Sequence, residues 1–183
     1  IETGSRAAFA GGITTVVVMP NTNPALDNAD AVRWQMSRAR EVDGVRVLVA
    51  AGATEAISGA TLSNYAELKE AGAVAVTDDG YPVSSPEVMR ESLEGCVENN
   101  LLFMQHAEDL EISKEGSMTL SPVSQRLGVS AQPADAEGAM VERDVELAIE
   151  TGARYHVLHM STRRSLEAVR KAKAAGARVT CET

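Results

Sequence analysis

Apolar and polar positions follow two different periodicities, and segments of the two kinds alternate along the whole chain. Short, nearly continuous apolar runs are typical of strands buried on both faces of a sheet. Such runs lie at residues 13–19, 45–51, 73–78, 101–105, 155–160 and 178–182. Helical periodicity between them predicts helices at residues 2–10, 29–42, 61–71, 86–99, 136–151 and 163–175. Six strands in strict alternation with six helices indicate α/β architecture with parallel strands.

The spacing of the strand ends predicts a repeated strand-plus-helix unit. Ala51 and Asp79 are 28 residues apart, and Asp79 and His106 are 27 apart. A closed β/α barrel has eight such units and typically ~250 residues. We therefore expect residues 1–183 to form a single domain, a partial TIM barrel with about six of the eight units. Residues 107–135 break the pattern and are expected to form a loop over the active site.

Three side chains that commonly bind metals follow three successive strands. Asp79 ends the run AVAVTDD, His106 ends LLFMQH, and His159 ends YHVLH. In a parallel barrel all such strand ends point to one face, so residues far apart in sequence converge there. Neutral imidazole and carboxylate groups are standard zinc ligands. The pattern predicts a hydrolytic metal centre, although each residue alone also fits an ordinary strand end or turn.

Alternation along a strand suggests which neighbouring side chains face the site. Asp78 and Asp79 should face opposite ways, with Asp79 beside the histidines and Asp78 bracing a loop. Spacing alone is weak evidence for which of the two faces the site. Residues 155, 157 and 159 should share one face, which leaves His156 packed or hydrogen-bonded under the helices. Asn21, in the loop MPNTNP, offers its amide at the same end of the sheet; an ordinary Asx turn is the alternative.

Composition excludes several classes of partner. The formal net charge is −9, and no Lys/Arg cluster is interleaved with aromatic residues, so nucleic acid is not an expected partner. An anionic small molecule remains compatible, because a bound metal can reverse the local field. Cys96 and Cys181 do not form a disulfide framework and suit a reducing compartment. No signal peptide and no apolar run near ~18 residues are present, so we expect a cytoplasmic protein without membrane contact.

The order of several motifs resembles one enzyme family. The stretches ETGSRAAFAGGITTVVVMPNTNP, TDDGYPV, QHAED, YHVLHMST and VTCET together are similar to the dihydroorotases of the amidohydrolase superfamily, which are metal-dependent β/α barrels. The resemblance covers the chain from end to end. Related hydantoinases and allantoinases place a carboxylated lysine where this chain has Thr77-Asp78-Asp79, so the dihydroorotase branch is favoured.

The resemblance implies roles for individual residues. Asp79 would bridge two zinc ions, His106 and His159 would hold one of them, and Asn21 would bind the substrate carboxylate. The implied reaction is the reversible, zinc-dependent cyclisation of N-carbamoyl-L-aspartate to L-dihydroorotate in de novo pyrimidine biosynthesis. The family's His-x-His pair is expected upstream of Ile1 and its catalytic aspartate beyond Thr183. The chain is therefore expected to be an internal fragment that lacks the first and last barrel strands, inactive by itself.

Two other functions fit the same resemblance. One is another cyclic amidohydrolase, similar to a hydantoinase or an allantoinase. The other is a non-catalytic, dihydroorotase-like subunit that supports aspartate transcarbamoylase. The expected partners are a small-molecule substrate and either further copies of the protein, in a homo-oligomer, or aspartate transcarbamoylase. Retention of Asp79, His106 and His159 argues against the non-catalytic role, since a subunit without activity has no need of metal ligands.

Overall fold

The structure is a computed structural model that describes residues 1–42, 44–114 and 116–183. Within these residues six parallel strands form one curled sheet in the order β1-β2-β3-β4-β7-β8, and β5 and β6 form a small parallel pair. The strands are β1 (Thr15–Val18), β2 (Arg46–Gly52), β3 (Ala75–Thr77), β4 (Leu102–Gln105), β5 (Met118–Thr119), β6 (Ala131–Gln132), β7 (Tyr155–Val157) and β8 (Val179–Cys181). The predicted partial barrel is confirmed.

Helices connect the strands in the predicted order. They are α1 (Glu2–Ala10), α2 (Ala29–Arg40), α3 (Tyr65–Ala71), α4 (Pro86–Glu98), α5 (Leu110–Ser113), α6 (Pro122–Leu127), α7 (Asp135–Thr151) and α8 (Arg163–Ala174). A short 3-10 turn at Glu55–Ile57 follows β2. Polar side chains fix several helix starts: Ser85 accepts a hydrogen bond from the Val88 N–H ahead of Pro86, as expected for a capped helix with proline at its first position.

The sheet has two unlike faces. One face packs against α2, α3, α4, α7 and α8, and its strand residues Val49, Val76, Phe103, Tyr155 and Val179 belong to the main apolar core. We call the opposite face the inner face; its buried apolar residues are Ala50, Ala75, Met104 and Leu158. Since the helices that build the main core all lie on one side, the sheet is part of a barrel wall rather than a flat, doubly covered sheet.

The structure differs from the predicted elements most clearly at three places. Helix α3 begins at Tyr65 and not at residue 61, because Asn64 caps it and Leu62 forms an isolated β-bridge with Thr54. Residues 107–135 hold two short helices and a strand pair where an irregular loop was expected, apart from Glu115, which lies outside the described residues. The strand predicted over 155–160 ends at Val157, because His159 has a φ of 32° that no regular strand contains. Among the described residues, no helix is long and apolar enough to cross a membrane.

Candidate metal centre

The candidate ligands lie at the carboxyl ends of three neighbouring strands. Asp79 is two residues beyond β3, His106 follows β4 directly, and His159 is two residues beyond β7. The strands β3, β4 and β7 are adjacent and parallel, so their ends share one edge of the sheet. Topology thereby brings together side chains that are 27 and 53 residues apart in sequence.

The three side chains form one compact cluster. Asp79, His106 and His159 can each offer one ligand atom, and these atoms all lie within 4.8 Å of one another. His106 Nδ1 is 2.9 Å from His159 Nε2, and each of these nitrogens is 3.5 Å from Asp79 Oδ1. The side chains of Asp79 and His106 are 19% and 20% exposed, whereas that of His159 is 53% exposed. The cluster is therefore open to solvent on the His159 side.

The donor atoms suit a zinc ion. Zinc lies ~2.0–2.2 Å from imidazole nitrogen and carboxylate oxygen, so donors around a tetrahedral ion are separated by roughly 3.4 Å. Two of the three observed separations are 3.5 Å, and the third, between the imidazole nitrogens, is shorter at 2.9 Å. Two imidazoles and a carboxylate also match the chemistry of known zinc sites. The residues present therefore fit a metal ion.

Glu108 orients His106, and sequence analysis assigned it no role. Its Oε2 lies 3.2 Å from His106 Nε2, which leaves Nδ1 facing Asp79 and His159. A carboxylate on the second ring nitrogen commonly fixes the orientation of a metal-binding histidine. The two-residue spacing of His106 and Glu108 was the only signal in the sequence, and Glu108 also directly precedes Asp109, the N-cap of α5, so an acidic residue there fits an ordinary helix start as well.

The two adjacent aspartates face different surroundings. Asp78 is fully buried and accepts hydrogen bonds from the backbone N–H and the hydroxyl of Thr54, in the segment after β2. Burial raises the pKa of Asp78, and the hydrogen bonds from Thr54 oppose that rise. Asp78 therefore braces a loop, and Asp79 lies with the histidines, as alternation predicted.

Alternation holds within β7, but the two faces were assigned the wrong way round, and the prediction that His156 lies under the helices was wrong. Tyr155 and Val157 belong to the main core on the helix side, and His159 would have joined them in a continuous strand. The strand ends first, and the left-handed backbone at His159 turns its ring towards His106 instead. His156 lies on the inner face, in register with Met104 and Thr180, and not under the helices. Its Nδ1 is 2.7 Å from the Thr180 hydroxyl.

Asn21 lies beside the turn that follows Asp79. It is exposed, and a Cβ added to Gly80 would come within 3.5 Å of its Nδ2. Gly80 has a φ of 97°, so the backbone conformation favours glycine there, whereas the 3.5 Å separation is an ordinary contact. The Asn21 amide is thus at the same edge of the sheet as the cluster, which is compatible with the predicted substrate contact.

Comparison with known proteins identifies relatives. A family model described as "Dihydro-orotase-like" matches residues 1–165. Curated dihydroorotases from Syntrophotalea carbinolica and Geobacter sulfurreducens are each 44% identical over 183 residues, which is 100% of this chain and 43% of each relative. The chain therefore spans less than half the length of these relatives.

Solved structures share the fold at low sequence identity. L-hydantoinase from Arthrobacter aurescens has a TM-score of 0.77 and 23% identity, covering 100% of this chain and 42% of that one. Dihydropyrimidinase from Brevibacillus agri has a TM-score of 0.73 and 22% identity, with coverage of 100% and 41%. At such identities the likeness shows the fold alone, whereas the family model covers most of the sequence. The chain belongs to the dihydro-orotase-like family.

Proposed function

We propose that the protein containing this chain is a dihydroorotase, which interconverts N-carbamoyl-L-aspartate and L-dihydroorotate. The observation that carries the proposal is the convergence of Asp79, His106 and His159 at one edge of the sheet in a member of this family. The curated relatives named above are dihydroorotases. Hydrolysis of a ring amide requires activation of both water and carbonyl, and a metal centre can supply both.

The cofactor that we propose is zinc, held by Asp79, His106 and His159. Asp79 has two carboxylate oxygens, so it would also be available to a second zinc ion, whose further ligands would have to come from outside residues 1–183. When bound, zinc would polarise the ring amide carbonyl and lower the pKa of coordinated water. Glu108 keeps the His106 nitrogen directed at the cluster, through the 3.2 Å contact described above.

Asn21 would bind the substrate carboxylate through its side-chain amide. The amide N–H groups can donate hydrogen bonds to a carboxylate without bringing a further charge to the site. The chain carries a net charge of −9, and a bound metal ion would supply the positive charge that favours an anionic substrate at the site. We further propose a cytoplasmic enzyme that assembles with copies of itself or with aspartate transcarbamoylase.

A second candidate is a hydantoinase-like cyclic amidohydrolase. The solved structures that share the fold include hydantoinases and a dihydropyrimidinase, so the fold is compatible with this alternative. Against it, Asp79 supplies the carboxylate of the cluster, and the end of β3 reads Thr77-Asp78-Asp79 without a lysine. A substrate comparison separates the two candidates directly.

The test uses the full-length gene product with stoichiometric zinc. Hydrolysis of L-dihydroorotate and of hydantoin is followed for the unmodified protein, for Asp79→Asn, and for Asp30→Asn as a control on the exposed surface of α2. We expect turnover of dihydroorotate, with kcat/KM reduced on the order of 10²-fold or more by Asp79→Asn and unchanged by Asp30→Asn. Turnover of hydantoin alone would favour the second candidate, and inactivity on both would favour a non-catalytic subunit.

A further inference from the structure

Helix α7 contacts the segments that carry all three candidate ligands. We propose that Glu137 and Asp144, two acidic residues of this helix, are positioning residues that set the geometry of the metal centre. The proposal rests on the proposed function, because it takes Asp79, His106 and His159 as the ligands. Residues seven apart on a helix lie on the same side two turns from each other, so both carboxylates can face the sheet together.

Glu137 fixes the segment that follows His159. Its Oε2 accepts hydrogen bonds from the backbone N–H and hydroxyl of Ser161, at 2.9 and 2.5 Å. Its Oε1 accepts from the backbone N–H and hydroxyl of Thr162, both at 3.0 Å. Thr162 is the N-cap of α8, so the carboxylate joins α7 to the start of the next helix. Four hydrogen bonds leave this segment little freedom, and His159 is only two residues away from Ser161.

Asp144 fixes the strand that carries His106. It is fully buried and accepts hydrogen bonds from the Gln105 amide at 3.1 Å and the Tyr155 hydroxyl at 3.0 Å. Gln105 directly precedes His106 at the end of β4, and Tyr155 begins β7. The Asp144 carboxylate thus ties together the two strands from which both histidines project.

The same network reaches the segment after Asp79. The Gln105 side chain accepts from the Val83 N–H at 3.4 Å and donates to the Val83 carbonyl at 3.3 Å, as a neighbouring strand would. Arg143 donates to Asp144 at 2.7 Å and to the carbonyls of Val83 and Ser84. The segment between Asp79 and α4 is thereby attached to α7 and to β4.

A purely structural role is the competing explanation for these contacts. A buried carboxylate needs hydrogen-bond partners wherever it lies, so its contacts alone do not show that it serves the metal centre. The distinguishing observation is where the donors lie. Each hydrogen-bond donor to Glu137 or Asp144 lies in a segment that carries a proposed ligand or is hydrogen-bonded to such a segment. Helix α7 itself contributes none of the proposed ligands. A positioning role therefore predicts a change at the metal, separate from any change in overall stability.

The test measures metal binding in the full-length gene product. Glu137→Gln, Asp144→Asn and Tyr155→Phe are compared with Glu142→Gln, a control on α7 whose carboxylate contacts only Arg164 among the described residues. Zinc affinity is measured by competition with a chelator, the visible spectrum is recorded with saturating Co²⁺, and stability is measured by urea unfolding. We expect zinc affinity to fall ~10–100-fold in the three variants, with an altered cobalt spectrum, and neither to change in Glu142→Gln.

The outcomes separate this proposal from the function on which it rests. Unchanged zinc affinity and cobalt spectrum in Glu137→Gln and Tyr155→Phe would overturn the positioning role, even if both variants were less stable. These two variants decide the question if Asp144→Asn does not fold. Failure of the unmodified protein to bind zinc, or equal affinity in Asp79→Asn, would instead overturn the proposed metal centre itself.

Discussion

The side chains of two consecutive residues, Asp78 and Asp79, have very different environments. Asp78 has no exposed surface and accepts a hydrogen bond from the Thr54 N–H, whereas Asp79 lies beside the imidazoles of His106 and His159. Their different environments imply that one serves stability and the other chemistry. A pair of matched substitutions at adjacent positions can therefore separate the two roles.

Asp78→Ala should destabilise the metal-free protein by about 1–3 kcal/mol, because it leaves the buried backbone N–H and hydroxyl of Thr54 without their acceptor. Asp79→Ala should leave the free energy of unfolding nearly unchanged in the same metal-free state. Urea unfolding in the presence of a chelator measures both. An equal loss of stability in the two variants would contradict the assignment of Asp78 as the brace.

Sequence reasoning located the candidate ligands better than it explained them. The predicted strand ends and the predicted parallel arrangement of the strands were sufficient to place Asp79, His106 and His159 at one edge of the sheet. Both predictions follow from local patterns of apolar residues. The orientation of His159 depends on a left-handed backbone residue, which no alternation rule foresees. Glu137 and Asp144 could not be recognised because their partners are set by tertiary packing. Glu108 lies only two residues from His106, but that spacing alone does not show that the two side chains are in contact.

At the scale of elements, α7 joins the parts of the site that separate strands provide. Seventeen residues long, it packs against α4 and α8 and carries both carboxylates of the positioning network. Gly138 allows a close crossing, since a Cβ there would come within 2.5 Å of the Arg164 side chain. Small size at that position helps α7 approach α8 closely enough for Glu137 to reach Ser161 and Thr162.

The contribution of Glu137 to stability should depend on pH. Burial would raise the pKa of Glu137, but hydrogen bonds from Ser161 and nearby N–H groups outweigh burial and lower it. A carboxyl group whose pKa is lower in the folded state stabilises the fold above its unfolded pKa of ~4.3, and this contribution is lost as pH falls through the folded value. Urea unfolding of the unmodified protein and Glu137→Gln between pH 3 and 7 should show a stability difference that shrinks in acid. A difference that grew in acid would contradict the sign.

Short elements were the ones that periodicity missed. The segment between β4 and α7 was expected to be irregular because α5 and α6 have only four and six residues. A helical repeat needs a window of about 11–18 residues to be recognised. The longer α4 and α7 were placed within a residue or so of their true ends, since caps and glycines mark them.

At the scale of the whole molecule, β4 and β7 are the adjacent strands of the six-stranded sheet that lie farthest apart in sequence. Phe103 of β4 pairs with Tyr155 of β7. These two residues are about twice as far apart in sequence as Ala50 and Ala75, which pair between β2 and β3. Doubling a loop costs only about 0.6 kcal/mol in closure entropy, so the effect on stability is small. Contacts between distant residues slow folding much more than they weaken the folded state.

This separation has a kinetic consequence: the sheet should assemble as two parts, β1–β4 and β7–β8, that join last. In refolding experiments with pulsed hydrogen exchange, the amides of Val74 and Tyr155, bonded within each part, should gain protection before those of Phe103 and Leu158, bonded across the join. Simultaneous protection of all four would show a single step. Asp79 and His106 lie on one side of the join and His159 on the other, so the metal centre would be completed only when folding ends.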